Sequence, residues 1–531
     1  DWIRRNHRSN QFGSFVLFTS DPDEVLDILT PGGRTANRFD APGLYQRQMG
    51  NTIGRQALGH GSLYVQDSWR ALSGLTLDLG FRWEGQFNQA PRLGNDLLIE
   101  RVRGSAFPFG TVDPTFIPDS TRQWMPRIGF AYSPPELASR FVLRGSAGVF
   151  YAVTPPVFFN TATKAFRDPP FNLSVSLPSS APTIYQQFLA AGIDLNQYPL
   201  ADLPVFSQAE IASALGDDPF LGAGPTAVHA NFRNPRSVKY SLALEYGITD
   251  RMAAGLQWMR HRTSFLHGSR DYNLPVAQVR AGDPAQIPFY DVGRRPEPLL
   301  GPVLVVESIG IADYDGITAN WKYQGDRAQL VMHYTYAQAF SNDLNEGYFW
   351  APLYTDHALP QNGYGPSDLD MRHQVTAHAV FGLPGRLTAS AIFRGASGPP
   401  LNPAAGLDLN GDRFASDRGL QSPGRYLSRN SFRNRAMRNV DVRVLREFPL
   451  SEKTRLEISL ELFNALGLDN VEYGGFNRIY GPGLDLSTGV PAGPSLSFGR
   501  LRSSDGSYDR NNTQVLGTGP FQVQLGARLH F

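Results

Sequence analysis

Asp408, Asn410 and Asp412 fall at alternate positions of the stretch DLNGDRFASDR, with Gly411 among them and Asp417 beyond. Oxygen side chains at positions 1, 3 and 5 of a tight, glycine-containing loop are how calcium loops begin. The stretch is not an EF-hand, which wants its glycine one place later and a glutamate where Gly419 stands. Two readings stay open: a calcium site built from Asp408, Asn410, Asp412 and Asp417, or an Asx-rich turn solvated outside a membrane. Calcium is the one cofactor the sequence suggests.

A second acidic group, Asp21, Asp23, Glu24 and Asp27 in SDPDEVLD, has the composition of paired carboxylates for acid–base work. It fits better as the start of a short helix over 21–31, where acids favour the positive end and proline stops the chain. RYLSRNSFRNRAMR, 425–438, holds five arginines and no acid. Its guanidinium groups either line a vestibule and meet lipopolysaccharide phosphates or pair with carboxylates of neighbouring loops. The ten histidines are scattered, without the spacing of a zinc site. There is no phosphate-binding glycine loop, no nucleotide fingerprint, no GxSxG elbow and no cysteine nucleophile. The chain is not expected to be an enzyme.

These residues must be positioned by something, and the end of the chain shows what. In FQVQLGARLHF every second residue is apolar: Phe521, Val523, Leu525, Ala527, Leu529 and Phe531. A period of two puts alternate side chains on opposite faces of a strand. The same alternation recurs in pairs joined by ALSG, PPELASR, GITDR, QGDR, LPGR and PLSEK, compositions suited to tight turns. Between pairs the connections are long, above all roughly 153–235 and 466–519, against an ordinary loop of about 4–6 residues. Short and long connections alternate. A soluble sandwich has no reason to gather its long loops at one end, whereas an outer-membrane barrel does. About 13 strands follow residue 54, with one or two before it such as FGSFVLF, each about 9–12 residues long. Aromatic residues near the strand ends, among them Trp69, Trp83, Tyr151, Trp258 and Trp321, match interfacial girdles. A further short helix is expected over 183–192.

Composition agrees. Basic and acidic residues balance at 49 and 48, so nucleic acid is not an expected partner. Cysteine is absent, Gly 53 and Pro 40 supply turns, and aromatics reach 12%. Mean hydropathy is −0.28, and no apolar run approaches the ~18 residues of a spanning helix. The first ten residues, DWIRRNHRSN, carry no apolar core of a signal peptide. The expected fold is all-β, a large antiparallel transmembrane barrel.

The phrases LYVQDSWRALSGLTLDLGFRWE, PRIGFAYSP, VLRGSAGVFY, HYTYAQAFSN, FRGASGPPLNP, LELFNAL and VQLGARLHF, in that order, resemble TonB-dependent receptors, and within them the Oar-like branch. The resemblance covers residue 54 to 531. It implies an outer-membrane location, a barrel of about 22 strands around an N-terminal plug, a carboxypeptidase-regulatory-like domain ahead of it, and energy from the inner-membrane TonB complex. The chain has room for about 14–15 strands and holds neither plug nor TonB box. It therefore looks like the C-terminal portion, 1–531, of such a barrel, with 153–235 a long extracellular insertion. Residues 521–531 would be the terminal strand, whose Phe521, Val523, Leu525, Leu529 and Phe531 resemble the signal read by the barrel assembly machinery. Gln522, Gln524, Arg528 and His530 would then face the lumen. Implied partners are outer-membrane lipid and lipopolysaccharide, the TonB complex, the assembly machinery and a surface lipoprotein. The function implied is uptake of an oligosaccharide, a peptide or a chelate; its rivals are a surface scaffold or adhesion protein, a passive porin and a soluble enzyme. Tyr354, Tyr364, Tyr473 and Tyr480 suit stacking on a sugar or ring, and equally suit loop packing.

Overall fold

A computed structural model describes residues 54–162, 224–342, 363–474, 479–509 and 519–531, apart from 92, 138 and 139. It also describes the shorter pieces 2–7, 14–17, 43–49, 173–178 and 513–515, and single residues in 166–197 and 356–359. One antiparallel sheet dominates. Its path runs through β1 Trp2–His7, β2 Gly54–Leu72, β3 Leu75–Asn88, β4 Ser120–Tyr132, β5 Phe141–Tyr151, β6 Arg236–Thr249 and β7 Met252–Asp271. It continues through β8 Leu304–Gln324, β9 Ala328–Ser341, β10 His373–Leu383, β11 Leu387–Ala396, β12 Met437–Pro449, β13 Arg455–Phe463 and β14 Gln522–His530. Each strand pairs with the next in sequence, so the expected hairpins all form. Among the described residues the end strands β1 and β14 are not paired with each other, and the sheet is open.

The register sorts the side chains. Leu242 lies opposite Trp258, Leu256 opposite Ala319 and Leu460 opposite Leu525. This face is apolar yet open: Leu525 is 77% exposed and Phe531 99%. The other face pairs Lys239 with His261, Ser241 with Met259 and Arg443 with Glu461, while Arg260 and Arg262 continue the Trp258 face beyond its apolar stretch, opposite Asp315 and Asp313. A sheet with its greasy side uncovered and its charged side inward inverts the soluble arrangement. Among the described residues no helix is long and apolar enough to cross a membrane.

The short turns share a device. Arg140, Arg251, Arg327 and Arg386 each stand where a hairpin's second strand begins or is about to begin. Their carbonyls accept N–H bonds from Gly247, Gln324, Gly382 and Glu447, at 2.7, 2.8, 2.8 and 3.2 Å. Each hairpin is thus latched to its successor. Two side chains repeat the link, Arg140 to Asp250 and Arg251 to Asp326, both at 2.9 Å. Gly74 turns the first hairpin at φ +81°, and a Cβ there would lie 2.1 Å from the Ser133 carbonyl, so only glycine fits.

Three expectations change. The strands are not uniformly about 9–12 residues long: β2, β7 and β8 reach 19, 20 and 21, continuing to outer ends where Leu58, Asp271 and Val305 are buried. Ser14–Leu17, within FGSFVLF, forms a separate small sheet with Gly43–Met49 and Leu173–Pro178 rather than joining the main one. Among the described residues the connections hold the α-helices α1 Asp96–Gly104 and α2 Pro156–Ala162. The expected helix 21–31 lies outside the described residues, as does 183–192 apart from Leu189, Ala190 and Gly192.

Candidate functional site

The polar face is the first part of the site. Arg144 Nη1 lies 2.9 Å from Glu245 Oε1. Arg443 bridges Glu457 and Glu461 at 3.2 and 3.1 Å, and His530 Nε2 stands 3.5 Å from Glu457. Lower on the wall, Gly80, Gly129 and Gly148 leave a recess of about 460 Å³. The ring of Phe150 faces it, with Arg127 and Lys239 at 4.6 and 5.1 Å. The wall is therefore hydrated, charged and close to neutral pair by pair. It can pass or hold polar material.

The long connections form the second part, a folded layer at one end. Asn95 caps α1 through Leu98 N–H, and Leu98, Ile99 and Val102 pack with Phe107, Tyr272 and Val303. At the end of β7, fully buried Asp271 takes a 2.9 Å bond from Arg295 Nη1 and further bonds from the N–H groups of Asn273 and Val303. Burial pushes the Asp271 carboxyl up, against the pull of Arg295. Asn273 Nδ2 donates to the carbonyls of Glu297, Leu300 and Gly301. Across the wall, Gln86 Oε1 accepts from Thr154 N–H and from Asn234 Nδ2. These clamps were not singled out from sequence. The one signal is Asp-x-Asn at the strand end, the Asx pattern that also marks 408–412.

Residues 404–420 dock on the connections 283–292 and 479–492. Tyr290 N–H donates to the Asn410 carbonyl and Tyr480 N–H to the Ala404 carbonyl, both at 2.7 Å. Ala285, Ile287, Leu409, Leu420 and Leu484 share one core. Within the acidic stretch, Asp408 accepts from the N–H groups of Gly411 and Arg413, Asn410 from Asp412, and Asp412 from Phe414. Asp417 Oδ2 accepts from Leu409 and Asn410, while its Oδ1 has no hydrogen-bond partner. Burial, with Asp412 and Asp408 nearby, pushes the Asp417 carboxyl up to about 8. Asp408, Asn410 and Asp412 form nested turns and Asp417 reaches back to their start, and among the described residues no three acidic or histidine side chains are grouped to hold a metal.

In 425–438, Arg433 pairs with Asp370, and fully buried Arg429 donates to the Ser341 carbonyl with Asp368 3.8 Å away. These two arginines anchor loops. Tyr364 donates to Asp313, while Tyr473 and Tyr480 pack on Phe498; Tyr354 and the acids 21–27 lie outside the described residues. In β14, Val523, Leu525 and Leu529 share the apolar face, and Gln524, Arg528 and His530 the polar one.

The family described as "Outer membrane beta barrel domain" matches residues 38–424, more than half the chain. The chain belongs to this family. Its apolar face therefore meets outer-membrane lipid, and its strands are barrel wall. No match was found among curated proteins. In solved structures the barrel domain is similar to the outer membrane transporter YddB from Escherichia coli, at 10% identity and TM-score 0.47, over 90% of this chain and 47% of that one. It is also similar to the ferric citrate transporter FecA, at 10% and 0.40, over 92% and 51%. A third is the siderophore receptor PirA from Pseudomonas aeruginosa, at 9% and 0.36, over 80% and 49%. The chain spans about half the length of these structures.

Proposed function

We propose that this chain is the C-terminal portion of a TonB-dependent receptor that takes up a solute through a plugged β-barrel and catalyses no reaction. The observation that carries the reading is the division between a charged inner wall and a folded layer of long connections at one end. Such a layer can select a solute before it meets the wall. The solute classes are oligosaccharide, peptide, or a siderophore or other chelate. The Oar-like branch, the plug and the TonB complex are proposed from the quoted phrases, the assembly machinery from the terminal strand 521–531, and a lipoprotein lid from the large loops. The test is growth of a deletion strain on single limiting nutrients of each class, with the inner-membrane motor intact or disabled. Loss of growth on one class, copied by loss of the motor, is expected. Uptake indifferent to the motor points to a passive porin and sinks the proposal.

A surface scaffold acting through its loops is the second reading. It is favoured by the use of Tyr473 and Tyr480 in packing against Phe498. Loss of surface adhesion in the deletion strain, with every nutrient still taken up, would establish it.

For 408–417 we propose calcium in competition with the loop's own N–H groups. Because those bonds must yield, the expected dissociation constant is roughly 10⁻⁴–10⁻³ M, as in extracellular modules. Calorimetric titration of the purified protein and of Asp417→Asn checks this: equal heats from both, or none, exclude the site.

A further inference from the structure

Above the pair Arg127 and Gly148, β4 and β5 stop pairing. The two strands part, and a cleft of about 340 Å³ opens between Ser120–Gln123 and the side formed by Tyr151, Arg233, Arg236 and Phe265. Four features mark it as built to receive something. Arg122, Arg233 and Arg236 line it together with one carboxylate, Asp119, whose Oδ1 accepts the Asn88 N–H; among the described residues none of the three arginines has a carboxylate within ion-pair distance, although arginines elsewhere in the layer and wall are paired. Arg233 and Arg236 stand 5.4 and 5.3 Å from the same ring, that of Phe265. Two like charges are thus gathered at one point, and an anion would relieve their repulsion. Buried atoms of the lining have no hydrogen-bond partner: Ser120 Oγ, Gln123 Oε1 and Arg236 Nε. Gln123 is 2% exposed, and a polar atom buried without a partner is costly. Phe265 itself is held at φ +65°, a strained backbone for a side chain of its size.

The register places the cleft in the membrane. Tyr151 lies opposite Arg236, on the lipid-facing side of their strands. Arg122 sits two residues beyond Trp124, whose ring is 6.4 Å from that of Trp83. Paired tryptophans on the lipid-facing side mark the interface, and the long-connection end of the barrel faces outside. The cleft therefore stands at headgroup height in the outer leaflet, which is a phosphorylated glycolipid.

We propose that this cleft binds a phosphate monoester of that glycolipid, with Arg122, Arg233 and Arg236 on the phosphate oxygens and Ser120 donating its hydroxyl. A monoester carries about −1.5 to −2 charge and three acceptor oxygens, which matches three guanidinium forks better than a carboxylate does. The proposal rests on the outer-membrane placement and not on the uptake reading, so either can fail alone.

The experiment uses protein purified from outer membranes and placed in lipid discs containing bisphosphorylated lipid A, dephosphorylated lipid A, or neither with inorganic phosphate added. Bound glycolipid and thermal unfolding are measured for the wild type, for Arg122→Gln/Arg233→Gln, and for Arg140→Gln at the opposite end. Both residues of the double variant are exposed, so its fold is expected to hold, and heat-dependent gel mobility checks that. The expected result is retention and stabilisation by the bisphosphorylated lipid alone, weakened about tenfold or more in the double variant and unchanged in Arg140→Gln. Equal retention by the double variant, or equal stabilisation by dephosphorylated lipid A, overturns the site. The whole effect from inorganic phosphate overturns the lipid as its source.

Discussion

His267 lies against the rings of Phe158 and Phe232, at 4.6 and 6.3 Å. Burial lowers it from 6.5 to about 4. A depressed histidine is held neutral by the fold, so its contribution is complete above its unfolded value and is lost as pH falls from 6.5 towards 4. The loss is on the order of 3 kcal/mol at most. We expect the cluster around α2 to loosen across that window, seen as faster hydrogen exchange of 156–159 and 230–234, and His267→Leu to abolish the pH dependence. Asp271 gives a larger effect. Asp271→Asn leaves Arg295 buried beside a neutral group, which costs about 3–5 kcal/mol. Limited proteolysis should then cut within 272–303 while the strands stay intact. At this scale the sequence was a partial guide. The oxygens of Asp408, Asn410 and Asp412 were legible as a tight loop, but not the backbone N–H groups that occupy them. The Asp271–Arg295 pair was not legible, because its partners are joined only when β7 and β8 run alongside each other.

At the scale of the element, alternation and short links were enough to read the hairpins, since each short turn leaves its strands no other partner. The outer ends of β7 and β8 were not legible. There Val305 and Val306 are both buried, and a strand covered on both faces loses its period of two. Helix α1 is nine residues long, too short for its stripe of Leu98, Ile99 and Val102 to stand out. The latch between successive turns was also hidden, because it uses carbonyls, which every residue owns. It makes Gly74 a sensitive point. Gly74→Val would force the first turn away from Ser133, and we expect a large drop in folded protein in the outer membrane, read by heat-dependent gel mobility. Arg386→Gln, which keeps the accepting carbonyl, should leave assembly nearly unchanged.

For the whole molecule, the exposed apolar face is a requirement of its solvent. Leu525, midway along β14, meets lipid. Leu525→Lys is expected to cost about 2–4 kcal/mol of stability in bilayers, measured by urea titration in lipid discs. Deleting Phe531 should slow insertion instead, through the proposed assembly signal, leaving the stability of protein that does insert unchanged; equal insertion rates would remove Phe531 from that role. The unequal lengths of the strands have a further consequence. Crossing takes about 9–11 residues, and β7 and β8 run to 20 and 21. At about 3.3 Å per residue and a tilt of about 40°, the excess raises one sector of the rim roughly 20–25 Å above the bilayer. By contrast, β11 has 10 residues. In relief the described rim would be uneven rather than a level ring, standing high at β7 and β8 and again at β2. Among the described residues, 272–303 would meet antibodies or phage probing intact cells before the pore does.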